Sequence, residues 1–184
     1  MATDTLGRVD VGKPAPDFAL PGAAGRPVRL SSFRGRVTVL EWTSPVCPFT
    51  TKKYARGAMQ AVQRAAVKRG AAWVLIDTAA KGKPGWLSPA AAKARVAATG
   101  ASATAFVFDE SGDVGRLYGV RTTPTVFIIG SDGRLLYQGA VDDDAWAERP
   151  PKALAYVRDA LDDVFARRPL RRPESRPYGC PVEF

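Results

Sequence analysis

The chain of 184 residues contains no histidine. That absence removes the commonest general base and the commonest metal ligand together, so cysteine–histidine hydrolysis and histidine-ligated zinc are excluded. Cysteine is almost as scarce: Cys47 and Cys180 are the two in the chain. They stand too far apart in sequence for any zinc-ligand spacing, which leaves thiol redox chemistry, a structural disulfide or two unrelated thiols. No metal and no cofactor is expected. No apolar run approaches the ~18 residues of a membrane span. The opening MATDTLGRVD also lacks the basic start and apolar stretch of a secretory leader. Localisation stays open: cytoplasmic for the sequence as it stands, periplasmic if a leader has been removed.

What is present is ordinary for a globular protein, with 46% hydrophobic and 24% charged residues. The length corresponds to one domain able to bury a core without a staple. The net charge is +9; many of the basic residues are spread along helices, and the densest cluster is FARRPLRRPESRP near the end. Prolines interrupt that cluster and no aromatic stacking ladder accompanies it, so it reads as a solvated, poorly ordered tail with no nucleic-acid partner.

Periodicity gives an α/β order. Residues 1–14 are polar and expected to be flexible. DFAL and PVRL, separated by turn residues, suggest a hairpin leading into a buried strand at Val37–Trp42. Apolar residues at helical spacing follow over Lys52–Lys68, closed by Gly70, and Ala72–Asp77 is a second buried strand. A strand–helix–strand unit of this kind crosses over right-handed between parallel strands. Ser88 and Pro89 announce a short helix. ATAFVFD is a third strand, VGRLYGV a helical turn, and TVFIIGSDGRLLYQGAV a hairpin around Asp132–Gly133. A final amphipathic helix is expected over Pro150–Phe165, with Leu154, Val157, Leu161 and Val164 on its apolar face. The domain proper thus spans 15–165, and 166–184 is the basic tail carrying Cys180.

Cys47 falls where a strand gives way to a helix. Unpaired N–H groups and the positive end of the helix dipole at such a junction stabilise a thiolate. An inert packed cysteine is the alternative. Ser44 and Thr50 are candidate hydrogen-bond donors to this sulfur, or else helix caps. Arg121 is a candidate source of positive potential, whereas Lys52 and Lys53 read as surface residues.

GKPAPDFAL, VCPFT around Cys47, and YGVRTTPTVFII with SDGRLLYQGAVDD occur in an order that resembles the thioredoxin superfamily, over about residues 11–165. The opening and the Cys–Pro pair are similar to its redoxin branch, the AhpC/TSA or peroxiredoxin-like proteins, together with thiol-disulfide oxidoreductases. The resemblance implies a thioredoxin-like fold, a central mixed sheet flanked by helices with an N-terminal hairpin extension and a C-terminal tail. It further implies a cis Pro124 against the active cysteine, with Thr123 and Pro124 docking the substrate backbone. Thioredoxins keep a buried acid on the strand before the cysteine; here Glu41 is read as one position out of register and facing the opposite way.

The departures matter for mechanism. Thr50 stands where CxxC proteins have a second thiol, so a self-contained CxxC cycle is excluded. In the peroxiredoxin pattern PxxxTxxC, Ser44 is an allowed hydroxyl but Leu40 replaces the proline, and Pro124 occupies a place held by arginine. Cys180, in RPYGCPVEF, is either a resolving thiol or half of a static disulfide. Three functions follow as expectations. The first is peroxide reduction through Cys47 with Cys180 resolving, an external thioredoxin-like thiol restoring both. The second is thiol-disulfide exchange on protein disulfides. The third is a non-catalytic binding module with a structural Cys47–Cys180 bond. The oligomeric state stays open.

Overall fold

The computed structural model describes residues 9–148 and 155–184. A short antiparallel hairpin, β1 (Ala19–Pro21) and β2 (Pro27–Arg29), precedes the central sheet. That sheet has five strands: β3 (Thr38–Trp42), β4 (Ala72–Asp77), β5 (Ala105–Phe108), β7 (Thr125–Ile129) and β8 (Leu135–Gly139), in the order β5-β4-β3-β7-β8. β3, β4 and β5 run parallel, while β7 and β8 are antiparallel to their neighbours. A two-stranded pair, β6 (Thr122–Thr123) with β9 (Cys180–Pro181), lies outside it. This is the expected mixed α/β sheet of the thioredoxin-like fold.

Side chains alternate across the central strands, so each face of the sheet has its own apolar layer. Val39, Trp73, Leu75, Val126 and Ile128 pack under α2 (Ala58–Lys68) and α5 (Tyr156–Phe165). Leu40, Trp42, Val74, Ile76 and Phe127 pack on the opposite side against Phe18, Leu20, Tyr118 and Val120. The N-terminal hairpin therefore closes a face that would otherwise be bare. α3 (Pro89–Thr99) is capped by the Ser88 hydroxyl, which accepts from the Ala91 amide at 3.2 Å. The helical turn expected over VGRLYGV is α4 (Asp113–Leu117).

Several expectations are corrected. The helix read over Lys52–Lys68 is two helices, α1 (Pro48–Ala55) and α2, because Gly57 takes a left-handed φ of 74° that breaks the hydrogen-bond ladder between them. Residues 9–14, expected to be flexible, are pinned: Val9 is buried, and the Gly12 amide donates to the Leu135 carbonyl at 2.7 Å. The rest of the segment expected to be flexible, 1–8, lies outside the described residues, as do residues 150–154 of the expected final helix, Leu154 among them. Tyr156–Phe165 is helical, with Val157 and Leu161 buried.

The largest correction concerns the tail. Instead of a solvated basic extension, 166–184 is a strap across the domain. Asp163 accepts from the guanidinium groups of Arg168 and Arg171 at 2.9 Å each, which ties the strap's start to α5. The Ser175 amide donates to the Gln138 carbonyl on β8 at 3.1 Å, and the Ala140 amide donates to the Ser175 hydroxyl at 2.9 Å. The positive charge that suggested solvation is partly spent on α5, and backbone pairing does the rest.

Candidate active site

β3 ends at Trp42 and a short turn carries the chain to Cys47, the N-cap of α1, with Pro48 in the first helical turn. Proline suits that place because the amide it lacks would have no partner there. The strand-to-helix junction thus has the form the sequence suggested. The Thr123–Pro124 peptide is cis, as the resemblance implied. It brings the Thr123 carbonyl to Cys47, whose thiol donates to it at 3.0 Å.

The tail completes the site. In β9 Cys180 pairs with Thr123 and Pro181 with Thr122, antiparallel, and the Val182 amide donates to the Arg121 carbonyl at 2.9 Å. An extended segment thus runs along the backbone that precedes the cis proline, and its cysteine stands within hydrogen-bond reach of Cys47. Both cysteines are reduced. Cys47 is only 1% exposed, and Cys180 half-buried, with the strap lying over the strand-to-helix junction.

The two thiols are driven apart in acidity. Burial pushes the Cys47 thiol up, but hydrogen bonds from Cys180, the Thr123 side chain and the Thr50 amide outweigh it, and the net direction is down. Burial, the hydrogen bond it gives to Cys47 and the charge there push Cys180 up to about 11. An opposed pair of this kind separates a nucleophile from a thiol held in reserve.

A cavity of about 180 Å³ opens beside the sulfurs, lined by Ser44, Cys47, Asp77, Lys83, Thr123, Cys180 and others. Ser44 belongs to it, but its hydroxyl accepts from the Val46 amide at 3.4 Å, a turn-capping arrangement. Thr50 is buried, and its amide serves Cys47 while its hydroxyl has no partner. Arg121 is exposed and lines a separate cavity of about 740 Å³ between the strap and β8, with Arg116, Tyr118 and Phe184. It meets the site through its carbonyl.

Two charged residues were misjudged from sequence. Lys53, read as a surface lysine, is 1% exposed and donates to both Asp142 oxygens at 2.8 Å and to the Asp144 carbonyl at 2.6 Å. The Tyr178 hydroxyl of the strap donates to the same Asp142 at 2.5 Å, so α1 and the strap share one anchor. Lys52 is exposed as expected, 4.7 Å above the Trp146 ring.

Glu41, expected to face away, points toward α1. Its carboxylate accepts from the Tyr54 hydroxyl at 2.9 Å, Trp73 Nε1 at 2.8 Å and Gln63 Nε2 at 3.1 Å. Burial raises it to about 7, and those three donors only partly offset the cost of the charge. It does not line the cysteine cavity. A polar residue amid VTVLEW was the available signal, since a charge in a strand buried on both faces demands partners.

Comparison with known proteins agrees with this architecture. A family model for the AhpC/TSA family matches residues 11–138. The hypothetical protein SMc02350 of Sinorhizobium meliloti is 25% identical, with a TM-score of 0.84 over 96% of this chain and 95% of that one. A Chlorobium tepidum structure assigned as thiol:disulfide interchange protein DsbE is 32% identical over 71% of this chain and 84% of that one, with a TM-score of 0.58. The methylamine utilization protein MauD of Paracoccus denitrificans is 45% identical over 47 residues, 24% of each chain. The chain thus spans about a quarter of that curated relative.

Proposed function

The chain belongs to the AhpC/TSA family, and on that premise we propose that it is a thiol-disulfide exchange oxidoreductase whose redox couple is Cys47 and Cys180. The observation that carries this reading is the pairing of Cys180 with Thr123, which delivers the tail thiol to the lowered-pKa thiol of Cys47.

The cycle follows from the two acidities. Cys47 as thiolate attacks a substrate disulfide, forming a mixed disulfide and releasing one thiol. Cys180 then attacks the Cys47 sulfur, which expels the second substrate thiol and leaves the Cys47–Cys180 disulfide. An external dithiol, thioredoxin-like in chemistry, reduces it again. Thr123 and Pro124 dock an extended substrate with β9 displaced, and β9 returns to Thr123 as Cys180 closes on Cys47. The likeness to the DsbE structure supports disulfides as the substrate class.

Peroxide reduction by the same cysteine has less support. A peroxidase needs positive charge where the leaving oxygen develops negative charge, and among the described residues Lys83 is the one cation lining the cysteine cavity, with no arginine to give a bidentate contact. The experiment is a turnover assay on an oxidised protein with a dithiol reductant. Wild type turns over, Cys47→Ser is inactive, and Cys180→Ser accumulates the mixed disulfide. Stopped-flow hydrogen peroxide consumption faster than that of a free thiol, with no turnover of disulfides, overturns the reading in favour of a peroxidase.

A further inference from the structure

Cys180 is the slow partner in that cycle. With its thiol near 11, only about one molecule in ten thousand carries the thiolate at neutral pH. Burial is the first cause of the rise, ahead of the hydrogen bond to Cys47 and the charge there. The closing step therefore calls for a proton acceptor beside Cys180. Glu41 is in no position to serve, since it lies outside the cavity behind Tyr54, Gln63 and Trp73.

Asp77 is in position. It is the last residue of β4, and the strand's two-residue alternation puts it on the same face as Trp73 and Leu75, the face that carries α1. It is 2% exposed and lines the cavity shared by Cys47 and Cys180. Its Oδ1 accepts from the Ala79 amide at 3.0 Å, which accounts for a turn-capping role. Its Oδ2 is buried with no hydrogen-bond partner in the protein. A buried carboxylate oxygen left unpartnered costs stability, and such groups cluster where a proton has to move.

We propose that Asp77 is the general base that takes the proton from Cys180, through water in the shared cavity, as Cys180 closes on Cys47. This inference rests on the thiol-disulfide exchange reading. In the step, the Cys180 sulfur forms a bond to the Cys47 sulfur while the bond from Cys47 to the substrate sulfur breaks, its electron pair leaving with the substrate thiolate. The Cys180 proton passes to Asp77 and from there to that thiolate. The substrate disulfide has then gained two electrons and the two cysteines have lost them. A cavity of about 180 Å³ with several polar walls is roomy enough for the relaying water.

The groups around Asp77 fit the role. Burial raises its carboxyl to about 6, with the Ala79 amide and Arg95 of α3 opposing the rise and Glu110, in the loop after β5, adding to it. Lys83 from the loop after β4 and Glu183 from the strap also line the cavity, with the two thiols. A carboxyl near 6 is ionised and ready as a base at neutral pH, yet basic enough to accept a proton.

The test uses DTNB, an aromatic disulfide whose coloured thiolate reports each attack. In wild type one thiolate is released as Cys47 attacks and a second as Cys180 closes. Asp77→Asn keeps the acceptor for Ala79 but not the base. It is expected to leave the first phase within about twofold and to slow the second about tenfold or more at pH 7. The wild-type second phase is expected to rise through an ionisation near 6, and in Asp77→Asn only with the thiol itself. An unchanged second phase in Asp77→Asn, or a wild-type second phase without the limb near 6, overturns the role of Asp77 while leaving the couple intact. The wild-type pH profile decides the point even if the variant folds poorly. A wild type that releases only one thiolate overturns the Cys47–Cys180 couple and, with it, this inference.

Discussion

Gly179 and Thr123 lie so close that a Cβ built on Gly179 would collide with the Thr123 carbonyl oxygen. Gly179 also holds a φ of 137°, a region that other residues enter only under strain. The glycine before Cys180 is thus what lets the strap lie flat against the cis-proline segment. The strand carrying Cys180 therefore covers the backbone that precedes the cis proline.

Gly179→Ala is expected to lift the strap. The backbone strain of ~1–3 kcal/mol, with the collision added, corresponds to an increase of about tenfold or more in the exposed population of Cys47. Iodoacetamide labelling of Cys47 checks this, and an unchanged labelling rate would mean the strap does not gate access.

Cys180→Ala removes a hydrogen bond that stabilises the Cys47 thiolate. The ionisation midpoint of Cys47, read from the pH profile of alkylation, is expected to move up from its lowered wild-type position. The midpoint separates this electrostatic effect from the altered access, which changes the plateau instead.

Lys53 sits between Asp142 and the Asp144 carbonyl with almost no contact with water. Removing one partner of a buried pair leaves the other charge uncompensated. Lys53→Met is therefore expected to lower stability by about 3 kcal/mol in urea unfolding. It should also raise Cys47 labelling, because Asp142 anchors Tyr178 of the strap.

Glu41 makes stability depend on pH in a definite sense. Its carboxyl is raised from 4.5 to about 7 in the fold, so the native state holds a proton that the unfolded chain has released. Stability falls as pH rises from about 4.5 to about 7 and is level above that window, a change on the order of a few kcal/mol. Glu41→Gln is expected to flatten this slope in urea midpoints measured across the window. A slope retained in the variant would assign it to another group.

The strand–helix order and the cysteine at a helix start were legible because each rests on local pattern, whereas the cis proline came only from the family resemblance. Val37–Trp42 and Ala72–Asp77 are apolar runs between turn residues, and the Thr–Pro pair precedes a third. The break at Gly57 was also local, but a helical apolar pattern on both sides masked it. Lys53 and Glu41 were misread for a different reason. A charged residue shows its burial only through partners, and those come from Asp142 far along the chain in one case and from Tyr54, Gln63 and Trp73 in the other.

Sequence by itself determined the exclusion of histidine chemistry, an α/β fold and the junction that carries Cys47, since absences and periodicities need no third dimension. Tertiary structure alone decided that the basic tail is a strap and that Cys180 pairs with Thr123. It also decided that Asp77 shares the cavity of the two sulfurs. Backbone pairing between distant segments and the burial of a carboxylate depend on how strands are placed in space, and no run of neighbouring residues encodes that placement where it can be read.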